Sequence, residues 1–220
     1  MDNILETPWE VTERLREGGV SGCAVERVKL DGVALGSPVL DSVRFSQCTL
    51  QRVSMVGATI YDSHFTGCEL RGAGLSRALI RGTNFVSNRA LEIDLEGALL
   101  DKVGFFETPL SNARLRQSRW HNVTVQSSDL YGADLSGALL MRCRFDDPTM
   151  EAASLNRVNL TGAMVIETDL SGAILYGANL KGAIFIRSRL KGAVLEGATL
   201  EGASFIDCEM DRPDLRSVRA

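Results

Sequence analysis

From Val25 to Leu215, the 39 positions at steps of five are all Leu, Ile, Val, Met, Phe or Trp, with Ala90 the single exception. A chain that is 45% hydrophobic does not produce such a run by chance. With this position called i, the residue two places earlier is Ala, Val, Cys, Ser, Thr or Pro from Cys23 to Pro213, except at Asn88 and Ile93. Large and small apolar sites therefore alternate in register. Two places after i, glycine recurs and accounts for 16 of the 21 glycines. A period of five matches neither the 3.6 of a helix nor the 2 of a flat strand, so the chain has to turn after each pentapeptide. Positions i and i−2 then share one interior.

A second period is superimposed on the first. Phe45, Phe65, Phe85, Phe105, Phe145, Phe185 and Phe205 are separated by multiples of twenty, and Val25, Val125 and Val165 occupy the gaps in that column. Four pentapeptides thus close one square coil, which stacks each Phe on the next at the strand spacing of about 4.8 Å. The cysteines obey the same count. Cys23 and Cys143 share one i−2 column and Cys48, Cys68 and Cys208 another, so all five point inward as small filler. Cys48 and Cys68 fall within bridging distance, but a reducing compartment keeps them as thiols.

The pentapeptide unit is plain in Ala133-Asp134-Leu135-Ser136-Gly137 and in Ala178-Asn179-Leu180-Lys181-Gly182. It resembles the A(D/N)LXX unit of the pentapeptide-repeat family. The resemblance covers residues 23–220 and implies an all-β fold, a right-handed quadrilateral β-helix with i and i−2 filling the shaft. Residues 1–22 are expected to form a separate N-terminal capping helix. Thr7-Pro8-Trp9-Glu10 has the residues of a capping box with proline at the first helical position, and Gly18-Gly19 ends the segment. Trp9, Val11 and Leu15 are the residues expected to cover the first coil, whereas the C-terminal repeats run through Leu215 with no comparable cap. Asn88, Ala90 and Ile93 invert the large and small sites, and Trp120 enlarges one, near Pro109. Local bulging is expected at 88–94 and 117–124.

Charge and chemistry narrow the function. With 24 Lys and Arg against 28 Asp and Glu, the net charge of −4 excludes a basic nucleic-acid binder. No membrane-length apolar stretch occurs, and the N-terminus lacks a basic region followed by an apolar one, so a cytoplasmic location is expected. The two histidines, His64 and His121, lie on outer walls about three coils apart, too far to cooperate at about 4.8 Å per coil. Asp146-Asp147 reads as a solvated corner, and the Gly-Ala-x-Leu-x-Gly spacing is a coil signature rather than a dinucleotide loop. No enzyme, cofactor or metal is expected. The resemblance also implies a specific alternative, because quinolone-resistance members of the family mimic DNA and bind gyrase or topoisomerase through strongly acidic walls. Here the outward residues of 23–220 give the four walls charges of −2, −1, 0 and +2, far from the roughly one charge per 1.7 Å of a duplex.

What stands out on the surface is apolar. On the Phe wall, Ile166, Ile186 and Ile206 hold the outward i+1 site in successive coils, beside Met164 and Ile184 at i−1, while Val86 and Phe106 hold equivalent i+1 sites farther up. Contiguous exposed aliphatics mark an interface. The leading expectation is a non-enzymatic protein-interaction scaffold that forms a homodimer near its C-terminal coils through a two-fold-symmetric patch, with a further protein partner of unassigned identity.

Overall fold

The computed structural model describes residues 3–211 and shows a parallel four-sided β-helix of about ten turns with one short helix. We number the walls in chain order, wall 1 carrying the Phe column. Its rungs build an 11-stranded parallel sheet, and the rungs of wall 4 build a 7-stranded one. Successive rungs pair in register at an offset of twenty, as in Phe45 with Phe65 and Leu99 with Arg119. Backbone bonds run from coil to coil: Leu75 N donates to Asp94 O at 2.7 Å, and Asp94 N donates to Ala73 O at 2.9 Å. The shaft is one continuous apolar core, with Leu135, Leu155, Ala133 and Ala153 at most 1% exposed. The rings of Phe45, Phe65, Phe85 and Phe105 stack at 4.9, 4.9 and 5.1 Å and turn by only 1°, 10° and 13° from one to the next. The Phe rings therefore form one continuous stack along wall 1.

The corners explain both the glycine and the small polar residues. After walls 2 and 3 the corner is a type II turn, except at residues 35–38, where Pro38 has no N–H to close it. In Leu130-Tyr131-Gly132-Ala133, Ala133 N donates to Leu130 O at 3.0 Å and Gly132 has φ +64°. A left-handed third residue favours glycine there. After wall 1, and after wall 4 as far as Arg142, no such turn bond forms among the described residues. Where the next coil carries Ser, Thr or Asn at those corners, its side chain accepts the proton of the buried i−2 amide. Val43 N donates to Ser63 Oγ at 3.0 Å, Asn88 N to Thr108 Oγ1 at 3.2 Å, and Thr108 N to Ser128 Oγ at 3.0 Å. Leaving such an amide unpaired costs about 1–3 kcal/mol, which is why Ser, Thr and Asn collect in these two columns and Ala in the others. Beyond Arg142 the wall 4 corner changes to Gly162-Ala163, Gly182-Ala183 and Gly202-Ala203, and the turn bond returns, as in Ala183 N to Leu180 O at 2.9 Å.

The expected bulges at 88–94 and 117–124 are absent, and both stretches keep the regular rung pattern. Asn88 belongs to the internal polar column: its Oδ1 accepts from Cys68 N at 2.8 Å and its Nδ2 donates to Phe65 O at 2.9 Å. Ala90 and Ile93 are both fully buried, the large residue at one site offsetting the small one three residues away. Trp120 is 1% exposed and its ring lies 5.9 Å from that of Phe105. The next residue in the Phe column above Phe105 is Val125, so the indole occupies the volume that a phenyl ring takes in other coils.

The N-terminal helix, α1, spans Pro8–Arg16, with Thr7 Oγ1 accepting from Glu10 N at 3.3 Å. Asn3–Leu5 already pairs with Cys23–Val25, and Gly19–Ser21 with Val39–Asp41. The helix thus replaces two sides of the first coil, and the boundary drawn between residues 22 and 23 falls beside rungs already in place. Val11 and Leu15, one turn apart, are buried against the shaft. Trp9 is 75% exposed, contrary to its expected covering role, because it precedes Val11 by two residues and points off the buried face.

Candidate protein interface

On wall 1 only residue i of each rung enters the shaft, while i−1 and i+1 face outward. The strands Met164–Ile166, Ile184–Ile186 and Ser204–Ile206 are consecutive rungs. Pairing places Ile184 on Met164, Ile186 on Ile166 and Ile206 on Ile186, so five of the seven expected interface residues form one strip. Stacking half-buries all but the last, and Ile206 is 46% exposed. Near the same end, Leu200, Phe205 and Met210, which point into the shaft, are only partly buried. The upper end of the strip is closed by Arg144, which reaches Met164 Sδ at 3.4 Å and pairs with Asp146 at 2.9 Å.

Val86 and Phe106 are separated from that strip by Gln126 and Asp146 in the same column. They pair with each other, and the Phe106 ring lies back across its own wall. A Cβ on Gly104 would come within 2.2 Å of Phe106 Cε2, so glycine is present to let the ring lie flat. Phe106 is consequently half-buried and covers backbone.

Wall 4 carries a second apolar ladder that a reading confined to the Phe wall passes over. Val39, Leu79 and Leu99 at i−1 are 43%, 36% and 43% exposed, with Leu139 and the Tyr61 and Met141 of the neighbouring column nearby. The twenty-residue period applied to that column reveals it from sequence.

Charges on the walls are organised as ladders one coil apart. Arg89 pairs with Glu69 at 3.4 Å, Arg81 with Asp101 at 3.4 Å, Arg189 with Asp169 at 2.8 Å and Lys181 with Glu201 at 2.8 Å, and Arg114–Asp94 and Arg187–Glu167 repeat the pattern. Exposed pairs of this kind add little stability. Their effect is to interleave the signs, leaving no wall uniformly acidic. His121 Nδ1 lies 3.1 Å from Asp101 Oδ1, whereas His64 sits on wall 1. Among the described residues no three His, Cys, Asp or Glu side chains gather as a metal site. Cys23, Cys48, Cys68 and Cys143 are buried free thiols and Cys208 is half-buried. Burial pushes the Cys143 thiol up to about 12, and its hydrogen bond to Cys48 together with burial raises Cys68. No helix among the described residues is long and apolar enough to cross a membrane.

The family model for pentapeptide repeats matches residues 39–77, 110–147, 153–192 and 188–219, in eight copies, which is more than half of the chain. The chain belongs to the pentapeptide-repeat family. The family model describes a structural repeat and indicates no catalytic activity. Among solved structures, full-length QnrB1, a plasmid-mediated fluoroquinolone resistance protein, is 16% identical with a TM-score of 0.61, covering 86% of this chain and 94% of that one. That likeness concerns the fold alone. HetL, a pentapeptide-repeat protein involved in heterocyst differentiation regulation in the cyanobacterium Nostoc sp. strain PCC 7120, is 25% identical over 88% of this chain and 91% of that one, with a TM-score of 0.48. A search of curated proteins finds no match.

Proposed function

We propose that the protein is a non-enzymatic cytoplasmic scaffold that binds protein on the C-terminal part of wall 1 and self-associates where the strip of Met164, Ile166, Ile184, Ile186 and Ile206 reaches the last described coil. One observation carries this reading: three consecutive rungs present only apolar side chains at i+1, ending on the exposed Ile206 beside incompletely buried shaft residues. A flat wall gives a broad contact without a cleft, which suits protein binding and not catalysis. Light scattering after size exclusion tests it. The wild type should form larger assemblies than the Ile166→Lys/Ile186→Lys variant, and equal masses would remove the proposal.

The resemblance to DNA-mimicking members supplies a second reading, binding to gyrase or topoisomerase. The alternating ion pairs of the walls speak for the scaffold instead, since imitation of a duplex needs a continuous acidic surface. A supercoiling assay with purified gyrase, with and without a quinolone, separates the two, because a scaffold leaves both traces unchanged.

A further inference from the structure

The apolar ladder of wall 4 is not used by the function proposed above, and it has an internal symmetry. Rung by rung, position i−1 reads Val39, Thr59, Leu79, Leu99, Arg119 and Leu139, in a register set by strand pairing. Position i+1 on the same rungs reads Asp41, Tyr61, Arg81, Asp101, His121 and Met141. The three ladder residues Val39, Leu79 and Leu99 are exposed on a wall whose rungs pair in register from coil to coil.

We propose that wall 4 packs against wall 4 of a second copy, with the two solenoids antiparallel. The two-fold axis lies in the plane of the wall, along the strands, midway between the rungs of Leu79 and Leu99. This operation keeps each column opposite itself and exchanges the first rung with the sixth, the second with the fifth and the third with the fourth. Leu79 then meets Leu99 of the second copy at the centre, twice, and Val39 meets Leu139. Beside them Arg81 meets Asp101, Tyr61 meets His121 and Asp41 meets Met141. Along the corner column Ser42 meets Arg142, Asp62 meets Asn122 and Gly82 meets Lys102. No pair of like charges is opposed. The neighbouring choices of axis fail this test: on the rung of Leu79 the axis sets Arg81 against itself, and on the rung of Leu99 it sets Asp101 against itself. Like charges held face to face oppose association, so the charge pattern favours this self-complementary register over the two neighbouring ones.

This contact uses a different wall from the isoleucine strip, so it is measured in full-length chains carrying Ile166→Lys/Ile186→Lys, in which that strip is disabled. Sedimentation equilibrium should still show a dimer. Added singly, Arg81→Glu or Asp101→Arg places like charges together at both ends of the central contact and should weaken the dimer by about tenfold or more. An equimolar mixture of the two variants should associate again, because in the heterodimer each of the two contacts joins opposite charges. Arg81 is exposed and Asp101 half-buried, paired with each other on the outer wall and outside the shaft, so the fold is retained, which circular dichroism checks. As a second route, Leu79→Cys chains mixed with Leu99→Cys chains should be joined by a short bismaleimide into heterodimers. A monomer at concentrations up to ~100 µM, single variants that dimerise undiminished, or a mixture no tighter than its components would overturn the proposal.

Discussion

Trp120 and Val125 offer a test of whether the shaft is a volume-matched column. The indole stands where neighbouring coils of wall 4 carry Leu100 and Leu140, while Val125 stands where the Phe column continues, and the indole lies 5.9 Å from Phe105. Replacing a buried Trp by Ala costs about 3–5 kcal/mol, and stopping at Leu leaves a smaller cavity worth about 2–3 kcal/mol. Trp120 Nε1 is buried without a hydrogen-bond partner, so its removal returns about 1 kcal/mol. Trp120→Leu alone should therefore destabilise by about 1–2 kcal/mol, while Val125→Phe alone overpacks the shaft by about 1–3 kcal/mol. In the double variant the phenyl ring re-enters the column and the Leu re-enters the wall 4 pattern, so stability should return to the wild-type value or slightly above it. The coupling energy is then at least about 2 kcal/mol. Reversible urea unfolding followed by far-UV circular dichroism measures all four proteins without relying on the Trp signal. If the two effects add within about 0.5 kcal/mol, the two side chains do not share a space and the volume argument is wrong.

The inward register is checked by comparing Leu135→Lys, which buries an ammonium in the shaft and should cost several kcal/mol, with the half-exposed Ser136→Lys, which should cost about 0.5 kcal/mol; similar losses would contradict the register. At the left-handed corner site, Ala152 has φ +55° and Ala152→Gly should raise the melting temperature by relieving about 0.5 kcal/mol, whereas Gly182→Ala, where φ is +63° and no atom crowds the new methyl, should lower it through about 1 kcal/mol of backbone strain. Changes of the same sign would show that the corner conformation is not what limits these positions. Ellman's reagent should find the native thiols of Cys23, Cys48, Cys68 and Cys143 slow and Cys208 faster, with all five reacting in urea; a rapid native titre of four or more would contradict their burial. Because the Cys143 thiol rises from an ordinary value of 9.0 to about 12 in the fold, the unfolded chain releases its proton first, and this residue's contribution to stability should fall as pH climbs from 9 towards 12.

The coil was legible from residue chemistry alone because its periods are short and strict. The five-residue spacing of Leu130, Leu135 and Leu140 and the twenty-residue spacing of Phe65, Phe85 and Phe105 state which atoms leave water, and a chain obeying both has to turn four times per coil. Val11 and Leu15 were readable for the same reason, as neighbours on one helical face. The places where pattern misled were those whose partner lies one coil away. Asn88 looked like a defect until Cys68 N and Phe65 O supplied its bonds, and Trp120 looked oversized until Val125 made room. Likewise, the outward columns could be named in advance, but not that Phe106 lies flat over Gly104 or that Val39, Leu79 and Leu99 stay more open than Ile166, Ile184 and Ile186 of wall 1. Burial periodicity is a property of each residue and its near neighbours, whereas hydrogen-bond satisfaction, volume balance and exposure depend on side chains twenty positions apart that meet only once the coils are stacked.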